Sequence, residues 1–195
     1  MEPELFDALS ALEMRDERER MRGIAGTERI NILEPDSAKY VSIIAISKKA
    51  QNMVEVGSGA GYSTLWLAYA ASVTGGKLVT CEIDPAKAEK VKSNLAEAGL
   101  ADFVEVLSGD ARETLRGQVE PVDLLMIDAD FGQYETYFDV VYKRMGVGSV
   151  VIANNVVAAE NELADYVTYV QNHPNLESVT IPLGQGLEFS VKIAD

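Results

Sequence analysis

The stretch Asn52-Met53-Val54-Glu55-Val56-Gly57-Ser58-Gly59-Ala60-Gly61-Tyr62-Ser63-Thr64 decides the fold. A short apolar run ends in three glycines at alternate positions and then opens into a second apolar run of helical length. This is the pattern of a strand that turns sharply into a helix. Glycine permits positive φ and lets the backbone approach a ligand closely. The helix behind it offers free N–H groups. Dinucleotide sites usually space these glycines as G-x-G-x-x-G to seat a pyrophosphate. Here the spacing is G-x-G-x-G, and Glu55 lies two residues before the first glycine. A carboxylate beside the loop disfavours a pyrophosphate and suits a cationic or amino-acid ligand.

Reading outward from this turn, strands and helices alternate. Strands are expected over 52–56, 77–82, 103–107, 122–127 and 149–153. Helices are expected over 62–71, from Pro85 to Gly99 with Asp84 as cap, after Asp110, over 133–144 and over 160–171. Such alternation implies a parallel sheet with right-handed crossovers covering both faces. The final strands, 176–181 and 187–193, are joined by Pro182-Leu183-Gly184-Gln185-Gly186, too short for a crossover, so the last strand is expected to run against the others. The fold class is α/β: a Rossmann-like, mostly parallel sheet with helices on both faces and an antiparallel last strand. Upstream, a helix is expected from Pro35 to about Lys49. Residues 23–33 read as a connector. Residues 3–22 read as an amphipathic helix in which Leu5, Leu9 and Leu12 recur at helical spacing and cover either this domain or a partner subunit. The mixed-charge run Arg15 to Arg22 reads as a solvated face. The expected division is an N-terminal helical extension, 1–30, and one domain, 31–195.

Composition narrows the function. The 195 residues include 31 Asp and Glu against 17 Lys and Arg, a formal net charge of −14. Phosphate backbones are bound through clustered Lys and Arg, so neither nucleic acid nor an anionic membrane is an expected partner. No apolar run approaches the ~18–20 residues that span a bilayer, and the acidic start lacks the order of a signal peptide; a cytoplasmic address is expected. One cysteine, Cys81, and one histidine, His173, exclude an internal disulfide and a Cys/His zinc site. Cys81 reads as a small buried hydrophobe. His173 sits in a polar turn and reads as structural rather than catalytic.

The polar residues cluster where the strands end, which is where open α/β sheets bind ligands. Glu82 closes the second strand, about 25 residues beyond the glycine loop, the position from which a carboxylate accepts hydrogen bonds from ribose hydroxyls. The third strand ends in Ser108-Gly109-Asp110-Ala111, the fourth in Asp128-Ala129-Asp130-Phe131 with Tyr134 beyond, and the fifth in Asn154-Asn155.

Together with Leu183-Gly184-Gln185-Gly186-Leu187, these motifs resemble those of class I S-adenosylmethionine-dependent methyltransferases, in particular the catechol and caffeoyl-CoA O-methyltransferase group. The resemblance covers roughly residues 30–195. It implies a seven-stranded sheet and S-adenosylmethionine as cofactor. The methionine part would be surrounded by Leu33, Glu55, Gly57, Ser58, Gly59 and Ser63. Glu82 and Ile83 would meet the ribose side, Asp110 and Ala111 the adenine, and Asp128 the sulfonium and amino group. It also implies a homodimer and a small hydroxylated acceptor, with aromatic compounds among the candidates. In the family a divalent metal is held at the positions of Asp128, Asn154 and Asn155, with an Asp at the second of these. Here an amide replaces that carboxylate, so Mg²⁺ affinity is expected to fall unless Asp130 substitutes. The family's Lys is replaced by Phe131, which leaves Asp128 and Asp130 as candidate catalytic groups, with Asp130 favoured as base or acceptor-orienting group. The buried-core reading of Tyr134 is preferred. Two other readings stay open on the residues alone: a binding module for S-adenosylmethionine or S-adenosylhomocysteine that has lost catalysis, and a nicotinamide oxidoreductase, against which the glycine spacing and Glu55 argue.

Overall fold

A computed structural model describes residues 2–25, 28–117 and 120–195. Gly26 and Thr27 of the expected connector lie outside the described residues. Seven strands form one sheet in the order β3-β2-β1-β4-β5-β7-β6: β1 (Asn52–Val56), β2 (Lys77–Glu82), β3 (Val104–Ser108), β4 (Val122–Ile127), β5 (Met145–Ala153), β6 (Leu176–Ile181) and β7 (Leu187–Lys192). The first five pair in parallel, and β7 runs antiparallel to both β5 and β6. The expected reversed last strand is present, because five residues between Ile181 and Leu187 leave room for a hairpin and nothing longer.

The strands sort their side chains by alternation. Met53, Leu124, Met126, Val150 and Ile152 point to one face, where they meet α1 (Pro3–Met21), α2 (Pro35–Lys48), α3 (Tyr62–Thr74) and α4 (Pro85–Glu97). Val54, Val56, Leu125, Ile127, Val151 and Ala153 point to the other, under α5 (Ala111–Thr114), α6 (Tyr134–Tyr142) and α7 (Glu160–Gln171). The N-terminal helix covers this chain itself. Leu5, Leu9 and Leu12 are buried in the same core as α3 and α4, a burial worth about 1.5–3 kcal/mol per side chain. The helix α3 runs three residues past its expected end, through Ser72, Val73 and Thr74, and stops at the left-handed Gly75, φ +75°.

Strand order reverses direction between β1 and β4, so the loops leaving these two strands part and open a crevice beyond their carboxyl ends. The same place is where the glycines and Asp128 fall.

Candidate functional site

The turn after β1 is built for close approach. Gly57 has φ +92°, and a Cβ there would sit 2.1 Å from the Asp128 carbonyl oxygen. Its N–H donates to the Cys81 carbonyl at 2.9 Å. No residue but glycine fits between β1 and the end of β4. On the far side of the crevice Gly186 does the same work for the hairpin, since a Cβ would lie 2.3 Å from the Val157 side chain.

Glu82 closes over this loop. It is 5% exposed, and its Oε2 accepts the Gly59 N–H at 2.8 Å while Oε1 accepts the Asp84 N–H at 3.0 Å. The carboxylate therefore fixes the glycine loop as well as facing the crevice. Asp84 separately caps α4 through the Ala86 and Lys87 N–H groups. The Asp84 cap is the one the sequence reading expects.

Two adjoining cavities share Gly57, Gly59, Lys87 and Asp128. The smaller, about 280 Å³, is lined by Glu82, Ile83, Asp110 and Ala111, together with Cys81 and Asp130. The larger, about 500 Å³, is lined by Leu33, Ser58, Ser63, Asp128, Asn154 and Asn155. Most of the expected cofactor residues thus converge on one double cleft. Glu55 does not line it. It is fully buried beneath, with Oε2 accepting from Thr64 and Thr80 hydroxyls at 2.6 Å each and Oε1 without a partner. Burial pushes its carboxyl pKa up. Asp130 lines the smaller cavity and not the larger, and its Oδ1 accepts the Gly132 N–H at 3.2 Å, capping the turn Phe131–Gln133. Asp110 is held by Arg112, which keeps its carboxyl below the ordinary range.

At the centre stands Asp128. Its Oδ1 accepts the Asn155 side-chain N–H at 2.8 Å. Burial, reinforced by Glu55 and Glu34, pushes its carboxyl up to about 7, against the opposing Asn154 and Asn155 amides. Asn155 holds φ +70°, a left-handed turn that brings its amide to Asp128. Tyr134 is buried, as the core reading expects. Its hydroxyl donates to the Asn154 carbonyl at 3.3 Å, and burial raises its pKa far above the ordinary value. It positions Asn154 and is no proton acceptor at neutral pH. His173 lies away from the cleft, edge-on to Phe138, Tyr142 and Tyr169.

Residues 54–156 match a family model described as a methyltransferase domain. The chain belongs to the methyltransferase-domain family. It is 35% identical over 137 residues to a catechol O-methyltransferase of Niastella koreensis, covering 68% of this chain and 61% of that protein. It is 34% identical over 155 residues to a catechol O-methyltransferase of Mycobacterium tuberculosis, covering 73% and 70%. Among solved structures, the O-methyltransferase TomG of Streptomyces achromogenes in complex with SAM superposes with a TM-score of 0.80 at 25% identity, covering 96% of this chain and 90% of that one.

The cleft of this methyltransferase domain suits an S-adenosyl nucleoside on its own chemistry. It joins a carboxylate beside a pocket for a sugar, a glycine loop that admits close approach, and buried acceptors. Glu34 Oε2 and Asn154 Oδ1 are buried without partners and both residues line the larger cavity. A divalent ion fits poorly. Mg²⁺ takes an octahedral set of oxygens with one or two carboxylates among them. Of the three expected ligands Asp128 alone is a carboxylate, the Asn155 amide turns its N–H into it, and one amide oxygen, Asn154 Oδ1, is left over. Among the described residues no group of three His, Cys, Asp or Glu side chains could hold an ion.

The domain's larger cavity also has lining residues that the sequence reading did not assign: Arg20, Arg29, Glu34, Tyr62, Lys87 and Gln185. Gln185 donates to Glu34 at 2.8 Å across the crevice. Tyr62 donates to Glu13, which ties α1 to the glycine turn. The run read as a solvated face is solvated only in part: Asp16 is 5% exposed and Arg20 reaches the cleft.

Proposed function

We propose that this chain transfers a methyl group from S-adenosylmethionine to a hydroxyl of a small, aromatic acceptor. The double cleft carries this reading: nucleoside-side residues Glu82 and Ala111 in one cavity and Asp128, Asn154 and Asn155 in the next, joined through the glycine loop. The names of the catechol O-methyltransferase relatives support the acceptor class. The alignment with the Niastella koreensis enzyme spans 61% of that protein's length, so activity and acceptor are proposed here rather than carried over.

When bound, S-adenosylmethionine supplies an activated methyl group on a cationic sulfur. The chain's own tasks are to hold the nucleoside, to aim the acceptor and to take its proton. Glu82 offers carboxylate oxygens to the ribose hydroxyls. Ser58, Ser63 and the first-turn N–H groups of α3 offer donors to the amino-acid end. Asp128, ionised above about pH 7, is the group placed to take a phenolic proton; the Asn155 amide orients it. Asp130 opens on the smaller cavity, so the role of base falls to Asp128 in this proposal. Phe131 lines the larger cavity and supplies an apolar wall for an aromatic ring. A cytoplasmic setting and a homodimer belong to the same proposal; exposed Phe6, Met14 and Met21 on α1 support the latter.

Radiolabelled methyl transfer to catechol, with and without added Mg²⁺, tests the reading. Transfer that survives chelator is expected. A chain that binds S-adenosylhomocysteine and methylates no hydroxylated aromatic would instead support the binding-module alternative.

A further inference from the structure

The larger cavity is lined by two acids, Glu34 and Asp128, and by two arginines, Arg20 from the last turn of α1 and Arg29 from the connector. The nearby acids are largely committed. Asp16 accepts from Arg20 Nε at 2.6 Å. Glu19, which feels the charge of Arg29, accepts from Arg15 Nε at 2.7 Å and from the Ile30 N–H at 2.8 Å. Asp16 and Glu19 are thus already held by arginines of this same group. Arg29 Nε is buried and has no hydrogen-bond partner. A buried donor without an acceptor is costly, and an oxygen brought by a ligand removes that cost. The guanidinium fork matches a carboxylate in a plane, two N–H groups to two oxygens.

We propose that the methyl acceptor carries a carboxylate and that Arg29, assisted by Arg20, binds it. This deepens the methyl-transfer reading and rests on it. A competing carboxylate is that of the cofactor's own amino-acid end. For that end Ser58, Ser63 and the start of α3 offer donors of their own in the same cavity, and the affinity for S-adenosylhomocysteine separates the two assignments. Arg29 is then a specificity-determining residue: it leaves the reacting atoms alone and selects which hydroxylated ring is held against Asp128.

The test compares protocatechuate with its neutral amide, two catechols of one shape that differ in the charge of a single substituent. The affinity of S-adenosylhomocysteine is measured first by calorimetry on wild type, Arg29→Gln and Arg20→Gln. Wild type is expected to prefer the acid over the amide about tenfold or more in kcat/KM, the usual worth of a charged hydrogen-bonded pair. Arg29→Gln is expected to bring the ratio to about one, and Arg20→Gln to lower it by a smaller factor, with S-adenosylhomocysteine affinity within about twofold throughout. If neither compound is methylated, their equilibrium binding to the S-adenosylhomocysteine complex supplies the same ratio. Equal use of acid and amide by wild type overturns the proposal and needs no variant to fold. So does an Arg29→Gln variant that keeps the preference, or one that loses S-adenosylhomocysteine affinity tenfold, which would assign the arginine to the cofactor. Failure of S-adenosylhomocysteine to bind wild type sinks the methyl-transfer reading and this proposal with it. Binding without a carboxylate preference sinks this proposal alone.

Discussion

Glu82→Gln separates the two jobs of one side chain. The substitution keeps the shape and removes the charge. In the wild-type chain Oε2 accepts from Gly59 N–H at 2.8 Å and Oε1 from Asp84 N–H at 3.0 Å, in a site 5% exposed. Glutamine has one acceptor oxygen where glutamate has two, so one of these buried N–H groups must face an amide NH₂. An unsatisfied buried donor costs about 1–3 kcal/mol, which for a chain of this size lowers Tm by roughly 2–12 °C. The ribose hydroxyls would lose a charged acceptor, a difference of about 1.5–3 kcal/mol and hence a rise of roughly 10–100-fold in the Kd for S-adenosylhomocysteine. Calorimetric titration and a thermal melt on one preparation read both effects. Asp84→Ala is the control: it removes the cap of α4, held by Ala86 and Lys87 N–H, for about 1 kcal/mol of stability, and is expected to leave the Kd unchanged. A Glu82→Gln chain that binds within twofold of wild type, or a control that weakens binding as much, would show that Glu82 only braces the loop.

Other expectations follow from the same geometry. Because burial holds the Asp128 carboxyl at about 7, kcat/KM for a phenolic acceptor should climb through about pH 7, and Asp128→Asn should abolish that limb. A wild-type profile that is flat across the neutral range contradicts the assignment. The sign for stability is opposite: the folded carboxyl binds its proton more tightly than the unfolded one, so wild type should gain stability relative to Asp128→Asn as pH falls through about 7. Gly57→Ala should cost about 3 kcal/mol or more, since its Cβ would lie 2.1 Å from the Asp128 carbonyl, while Gly59→Ala, with nothing within 4 Å, should cost about 1–2 kcal/mol; equal losses in urea melts would contradict this. Leu9→Ala should destabilise by about 2–5 kcal/mol, because the helix covers its own domain; an unchanged midpoint would mean that α1 packs elsewhere in solution.

The sheet was legible because its signals are local. The apolar runs at 52–56 and 122–127, the glycines after Val56, and a connection too short to cross over each report on neighbours in the chain. Glu82 and Asp84 were legible for the same reason, one at a strand end and one in front of a proline. Three features were not. That Glu55 lies under the cleft depends on Thr64 and Thr80 reaching it from two other elements. That Asp130 opens on the smaller cavity depends on the turn it caps. The third is the arginine pair. Nothing in the mixed-charge run Arg15 to Arg22 says which end of α1 folds over the cleft. The leucine stripe orients the helix about its axis, but only the tie between Tyr62 and Glu13 and the placement of the connector bring Arg20 and Arg29 to the site.

A crystal structure of the chain grown with S-adenosylhomocysteine bears most directly on whether the two cavities are one nucleoside site. The expected density places the adenine beside Ala111, the ribose hydroxyls on Glu82 and the amino-acid end in the larger cavity beside Ser58 and Ser63. A nucleoside bound elsewhere on the chain, or crystals from saturating ligand in which the double cleft is closed by the chain's own side chains, would contradict it.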